Sequence, residues 1–185
     1  MQESTFIFGP LLVERRKEAG LTQWALALKT SVNVTNLRKI EKGKTQPGVM
    51  LALKLVSAIG TDVGNFFEDL AVREGFIVQS GGVRGCENQK QSVFMPDDLI
   101  EAVRGVRCPF GPCLKRVRVG LKVSQKRIAE YANYQLRNIL VVENGAQEPG
   151  VQTALALVYG TGCDVGAFFR GLKDIAERIA CENAL

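Results

Sequence analysis

The sequence predicts a mainly α-helical protein in which two five-helix modules follow one another in tandem. Three observations carry that prediction. The chain repeats itself: residues 8–70 lie on residues 110–172 without a gap, at an offset of 102, and an ungapped match of that length marks a duplicated unit. Phe8-Gly9-Pro10 meets Phe110-Gly111-Pro112, Pro47-Gly48-Val49 meets Pro149-Gly150-Val151, and Asp62-Val63-Gly64 meets Asp164-Val165-Gly166. Apolar residues recur at three- and four-residue spacing between capping signals. A hydrophobic content of 46% over 185 residues is enough for packed cores and too high for a disordered chain.

The elements of the first module follow in order. Leu11, Leu12 and Arg15-Arg16 belong to an amphipathic first helix, which Gly20 closes. Thr22 is the N-cap of a second helix over residues 23–29, because its hydroxyl can accept from an orphan N–H of the first turn. Asn33 caps a third helix over residues 34–42, with Leu37 and Ile40 inward and Gly43 ending the run. Pro47-Gly48 opens a fourth helix with an apolar stripe of Val49, Ala52, Leu53 and Val56. Asp62 starts a short fifth helix carrying Phe66, Phe67 and Leu70. The expected boundaries are residues 1–70 for the first module, 71–107 for a connector, and 108–185 for the second module with a C-terminal helix.

The run Gly20-Leu21-Thr22-Gln23, then Leu26-Ala27, then Leu37, Ile40-Glu41, Gly43 and Pro47 resembles the Cro/phage-repressor type of helix-turn-helix, the XRE-like or lambda-repressor-like family. The resemblance covers the first module closely and the second more loosely, about 126 of the 185 residues. It implies lambda-repressor-like modules in which the second helix abuts the DNA backbone and the third enters the major groove. Arg16 and Arg118 match the family arginine that pairs with a glutamate near the end of helix 3, here Glu41 and Glu143. Deleting one partner of a buried pair of this kind costs ~3–5 kcal/mol. Ala27 and Ala129 fall where helices 2 and 3 cross. Gln23 and Gln125, at the start of helix 2, are placed to donate from their amides to phosphate oxygens.

By the same resemblance Val34, Thr35, Asn36 and Lys39 turn toward the bases, with Arg38 at the flank. Asn can pair with adenine, Lys with guanine acceptors, and the Val and Thr methyls with the thymine methyl. Lys42 and Lys44, in the loop after the helix, suit phosphates. The other reading of these residues is a solvated basic face. In the second module the aligned positions are Leu136, Arg137, Asn138 and Val141, with Leu140 at the flank, and the loop loses two cations and gains Glu148. Gln135 is a weaker cap than Asn33. An outward face of Leu136, Leu140 and Val141 suggests packing against protein. Yet Lys122, Lys126, Arg127 and Arg137 cluster around the helix N-termini, and the two modules carry net charges of +4 (residues 110–172) and +3 (residues 8–70). Two readings therefore stand: both modules touch DNA, with the first dominant in specificity, or the second serves dimerisation or partner binding.

Between the modules, residues 76–78 and 92–94 are short β-like runs around Gly81-Gly82, read either as a hairpin or as a flexible linker. Pro96-Asp97-Asp98 followed by Leu99, Ile100, Ala102 and Val103 reads as a capped helix, and residues 173–181 continue the last helix with Ile175 and Ile179 on one face. These additions are the candidates for holding the modules together or for self-association. Trp24, on helix 2, is expected to pack on the connector or on a partner. Five scattered cysteines read as free thiols. The four-residue gap between Cys108 and Cys113, with no second pair and no histidine in the chain, is a poor zinc pattern.

The function expected is a sequence-specific double-stranded-DNA-binding transcription regulator, a repressor by family analogy. The alternative is a protein-interaction adaptor or antitoxin-like protein. A net charge of +5 and a pI near 9.0 agree with an anionic partner. No enzyme is expected, since the chain lacks histidine and a P-loop, and neither a cofactor nor a metal is implied. A homodimer is a candidate assembly. No apolar run reaches membrane-spanning length and no signal peptide is visible, so the expected location is cytoplasmic.

Overall fold

The computed structural model describes residues 6–76, 99, 103, 106 and 108–182. Among these are ten α-helices. The first five are α1 (Phe8–Glu18), α2 (Gln23–Thr30), α3 (Val34–Glu41), α4 (Val49–Ile59) and α5 (Val63–Arg73). The second five are α6 (Phe110–Gly120), α7 (Gln125–Tyr131), α8 (Leu136–Glu143), α9 (Val151–Thr161) and α10 (Val165–Glu182). Each helix of the second set starts 102 residues after its counterpart.

The N-terminal caps lie where the sequence places them. Thr22 accepts from the Ala25 N–H at 3.1 Å, Asn33 from Thr35 at 2.8 Å and Asp62 from Asn65 at 2.8 Å. Gln135 makes no side-chain cap, as its longer side chain leads one to expect. Gly20, Gly43 and their kind take up the left-handed conformation that ends a helix. Helix α5 runs three residues past the boundary expected at residue 70 and is tied to α1 by Arg15 with Asp69 and by Arg73 with both oxygens of Glu14.

The repeated Phe-Gly-Pro has a packing origin. A Cβ on Gly9 would lie 2.0 Å from the Ile40 carbonyl oxygen, and one on Gly111 1.6 Å from that of Val142. Glycine thus lets the first helix of each set rest against the last turn of the third.

The two sets share one core. Phe8 packs on Phe66, Phe66 on Phe67, Phe67 on Phe169, Phe169 on Phe168, and Phe168 on Phe110, so that the order reads the same from either end. At its centre Phe67 and Phe169 are stacked, with centroids 3.8 Å apart and planes 7° from parallel. The repeated Pro-Gly-Val forms the other part of the seam. The Val49 N–H donates to the Pro149 carbonyl at 3.1 Å, and the Val151 N–H to the Pro47 carbonyl at 3.0 Å, as an antiparallel bridge between Gly48 and Gly150. Exchanging each residue for its counterpart returns the same pair of bonds. A contact of this self-complementary kind is what joins the subunits of a two-fold dimer.

Side chains along the seam break the equivalence. Glu148 accepts from the Met50 N–H at 2.8 Å, so a carboxylate of the second set caps α4 of the first. Its counterpart, Gln46, is neutral. Arg170 reaches Asp62 at 2.9 Å and Glu68 at 3.9 Å, and its own counterpart is Glu68. The described contacts joining the sets come largely from α4, α5, α9 and α10; of the connector, which the sequence reading offered as a candidate for this role, Glu74 accepts from Gln152 Nε2 at 2.7 Å. The extension does contribute, since Ile175 is buried and Ile179 packs on the core. The β-like runs of the connector lie outside the described residues except for Phe76, which faces Tyr159 with centroids 6.0 Å apart. Leu99 and Val103 are helical and buried.

Candidate nucleic-acid interface

Helices α2 and α3 are joined by a short turn in which Ser31 adopts φ 55° and the Val32 N–H returns to the Ala27 carbonyl at 3.0 Å. Ala27 is buried beneath the crossing, and Leu37 and Ile40 turn α3 onto the core. That leaves Thr35, Asn36, Arg38 and Lys39 exposed on the outer face of α3, with Lys42 and Lys44 exposed in the following loop. Six of the predicted contact residues therefore occupy one surface. Val34 is half-buried against the core.

Glu41 fixes the orientation of this surface. Its carboxylate accepts from Arg16 Nε at 2.7 Å, Arg16 Nη2 at 3.1 Å and Gln23 Nε2 at 2.6 Å. Arg16 Nη1 also donates to the Leu21 carbonyl at 2.6 Å. One cluster thus ties α1, α2 and α3 together. The expected arginine–glutamate pair is present; the part of Gln23 in it was not foreseen. One of its amide hydrogens is committed to Glu41, and its Oε1 accepts from Arg38 Nε at 3.4 Å, which leaves the second amide hydrogen for an outside acceptor. The signal was available, because Arg, Gln and Glu recur together in both copies.

The second set reproduces the cluster. Glu143 accepts from Arg118 Nε at 2.6 Å, Arg118 Nη2 at 3.0 Å and Gln125 Nε2 at 2.7 Å. What α8 presents is different. Leu136 and Leu140 are each 47% exposed and Val141 is 40% exposed. Arg137 is exposed beside them, Asn138 is half-buried, and Lys126 is exposed at the start of α7, 3.8 Å from Glu130. Trp24 and Leu28 form a further exposed apolar pair on α2, so nothing among the described residues covers Trp24.

A helix-turn-helix family model of the Cro/C1 type matches residues 12–66. The N-terminal set is a helix-turn-helix domain. The helix-turn-helix domain so delimited runs from α1 into α5 and takes in Gln23, all of α3 and both loop lysines. It belongs to a DNA-binding type associated with transcription regulation. The C-terminal set lies outside the matched residues. No curated protein and no solved structure shows a significant match to the chain. Among the described residues, no helix is long and apolar enough to cross a membrane, and no three His, Cys, Asp or Glu side chains gather as metal ligands would.

Buried thiols complete the picture. Burial pushes Cys108 up to about 11, Cys113 to about 12 and Cys163 to about 11, so all three stay protonated near neutral pH. They behave as small core hydrophobes.

Proposed function

We infer that the protein is a sequence-specific transcription regulator of double-stranded DNA, acting in the cytoplasm as a repressor by occupying its operator. The observation that carries this reading is the exposed face of α3, with Asn36, Arg38 and Lys39 over a buried, hydrogen-bonded Glu41 cluster in a helix-turn-helix domain. Asn36 and Lys39 supply base-edge contacts, while Thr35, Lys42, Lys44 and the free amide hydrogen of Gln23 serve base methyls and phosphates. The C-terminal set acts as a second module of the same kind, and Gln125, Lys126, Arg137 and Asn138 give it its DNA contacts. One chain then offers two readers across a two-fold-like seam, suited to half-sites about one turn, ~34 Å, apart.

The test is selection of a duplex from a random library with the full chain, followed by retardation or anisotropy titrations over a range of salt. Binding should weaken linearly in log–log form as salt rises. Lys39→Ala and Asn36→Ala should each cost about 1–3 kcal/mol on the selected duplex and relax its sequence preference. If neither variant changes affinity or preference, α3 is not the reader. A second reading, an adaptor whose second module binds protein, is favoured by the exposed Leu136, Leu140 and Val141.

A further inference from the structure

We propose that α8 reads thymine methyl groups, so that the operator is asymmetric: one half-site read by polar contacts from α3, the other rich in thymine and read by Leu136, Leu140 and Val141. This rests on the DNA-binding reading above and deepens it.

The first support is presentation. The Arg118–Glu143–Gln125 cluster holds α8 with hydrogen bonds of 2.6, 3.0 and 2.7 Å, against 2.7, 3.1 and 2.6 Å for the cluster that holds α3. Leu136, Leu140 and Val141 therefore stand in the places of Val34, Arg38 and Lys39. The second support is charge. The apolar face is bordered by exposed Lys122, Lys126, Arg127 and Arg137. Among the described residues, Glu143 is buried in its cluster and Glu148 caps α4, while Glu130 lies 3.8 Å from Lys126 and offsets one of these cations. An apolar strip inside a cationic rim complements a polyanion that offers apolar groups of its own. The third support is the chemistry of the groove. Leucine and valine offer no hydrogen bonds, and among the major-groove edges of the four bases the C5-methyl of thymine is the one apolar group. Polar edges of guanine or cytosine placed there would lose water and gain nothing. Arg137 remains to pair with a single guanine.

The test uses the full chain and the selected duplex, with thymine replaced by deoxyuridine in one half at a time. Pairing is unchanged and only the methyl is lost. Each contacted methyl should be worth about fourfold in affinity. The loss is expected in the half that L136A/L140A/V141A footprints lightly, and that triple variant should bind the thymine and deoxyuridine duplexes equally. Substitution with deoxyuridine leaves the protein untouched, so a folding defect in the triple variant cannot mask the result. Sequence-specific binding with no deoxyuridine effect in either half overturns the proposal and leaves the regulator reading standing. A triple variant that binds DNA unchanged but turns a sedimenting dimer into a monomer also overturns it, because α8 is then a protein contact. Failure to bind any duplex at low salt overturns both.

Discussion

Reversing the charge at Arg170 tests whether the two halves are joined across a true two-fold-like seam. Arg170 Nη1 lies 2.9 Å from Asp62 Oδ1, and Nη2 lies 3.9 Å from Glu68 Oε1. The three side chains are between 42 and 47% exposed, so solvent screens them and each pair contributes ~0–1 kcal/mol. Arg170→Ala should therefore cost no more than about 1 kcal/mol. R170E instead sets a third carboxylate against two others. A like-charge pair at about 4 Å in water costs about 1 kcal/mol, so R170E should destabilise the chain by about 2 kcal/mol more than alanine at low ionic strength. Most of that penalty should vanish at molar salt, where the screening length is ~3 Å. The double exchange E68R/R170E gives the decisive case. The arginine introduced at position 68 would face Asp164, the counterpart of Asp62, which already accepts from the Ala167 N–H at 2.7 Å as Asp62 does from Asn65. Urea unfolding of the starting chain, E68R, R170E and E68R/R170E at low and high salt forms a double-mutant cycle. Stability should return to within ~0.5 kcal/mol of the starting chain in the double exchange. A double exchange no more stable than R170E, or a penalty indifferent to salt, would refute the seam as described.

Two further outcomes bear on packing and on the thiols. Gly9→Ala should destabilise by about 1–3 kcal/mol, because its methyl would meet the Ile40 carbonyl oxygen of α3 and move α1; Gly120→Ala, with open space around it and a helical position, should be neutral or stabilising by thermal denaturation. Cys108, Cys113 and Cys163 should resist alkylation at pH 7.5 while the exposed Cys181 reacts, as read by mass-spectrometric peptide mapping; rapid labelling of Cys113 in the folded chain would contradict its burial.

Much of the helix layout was legible because its signals are local. Thr22, Asn33 and Asp62 announce helix starts within a few residues of the bond each makes, and the stripe of Val49, Ala52, Leu53 and Val56 is buried as its spacing requires. The face of α3 was legible for the same reason, since Leu37 and Ile40 inward force Asn36 and Lys39 outward. The seam was not. Pro-Gly-Val reads as a helix start, which it is, and nothing in a linear pattern says that two such starts will pair with each other. Phe66-Phe67 reads as core for one module, but only tertiary packing could show Phe67 stacking on Phe169 across the join. The part of Gln23 in the Glu41 cluster was not legible from residue type, because a side chain facing a phosphate and one facing a buried carboxylate call for the same amide. The repeated identities at Gly48, Gly64 and their counterparts were the usable hint, because neither helix formation nor DNA contact explains them.

The Pro-Gly-Val bridge and the phenylalanine stack lie within one polypeptide, and that has a consequence for dosage. Subunits that must find each other in solution lose their paired form on dilution, so the active species falls more steeply than the amount of protein made. Here the two halves are tethered, and their meeting depends on an effective concentration set by the chain itself. Closure of the seam is then indifferent to expression level. Each half is also free to diverge alone, as the glutamate and arginine at positions 68 and 170 already have.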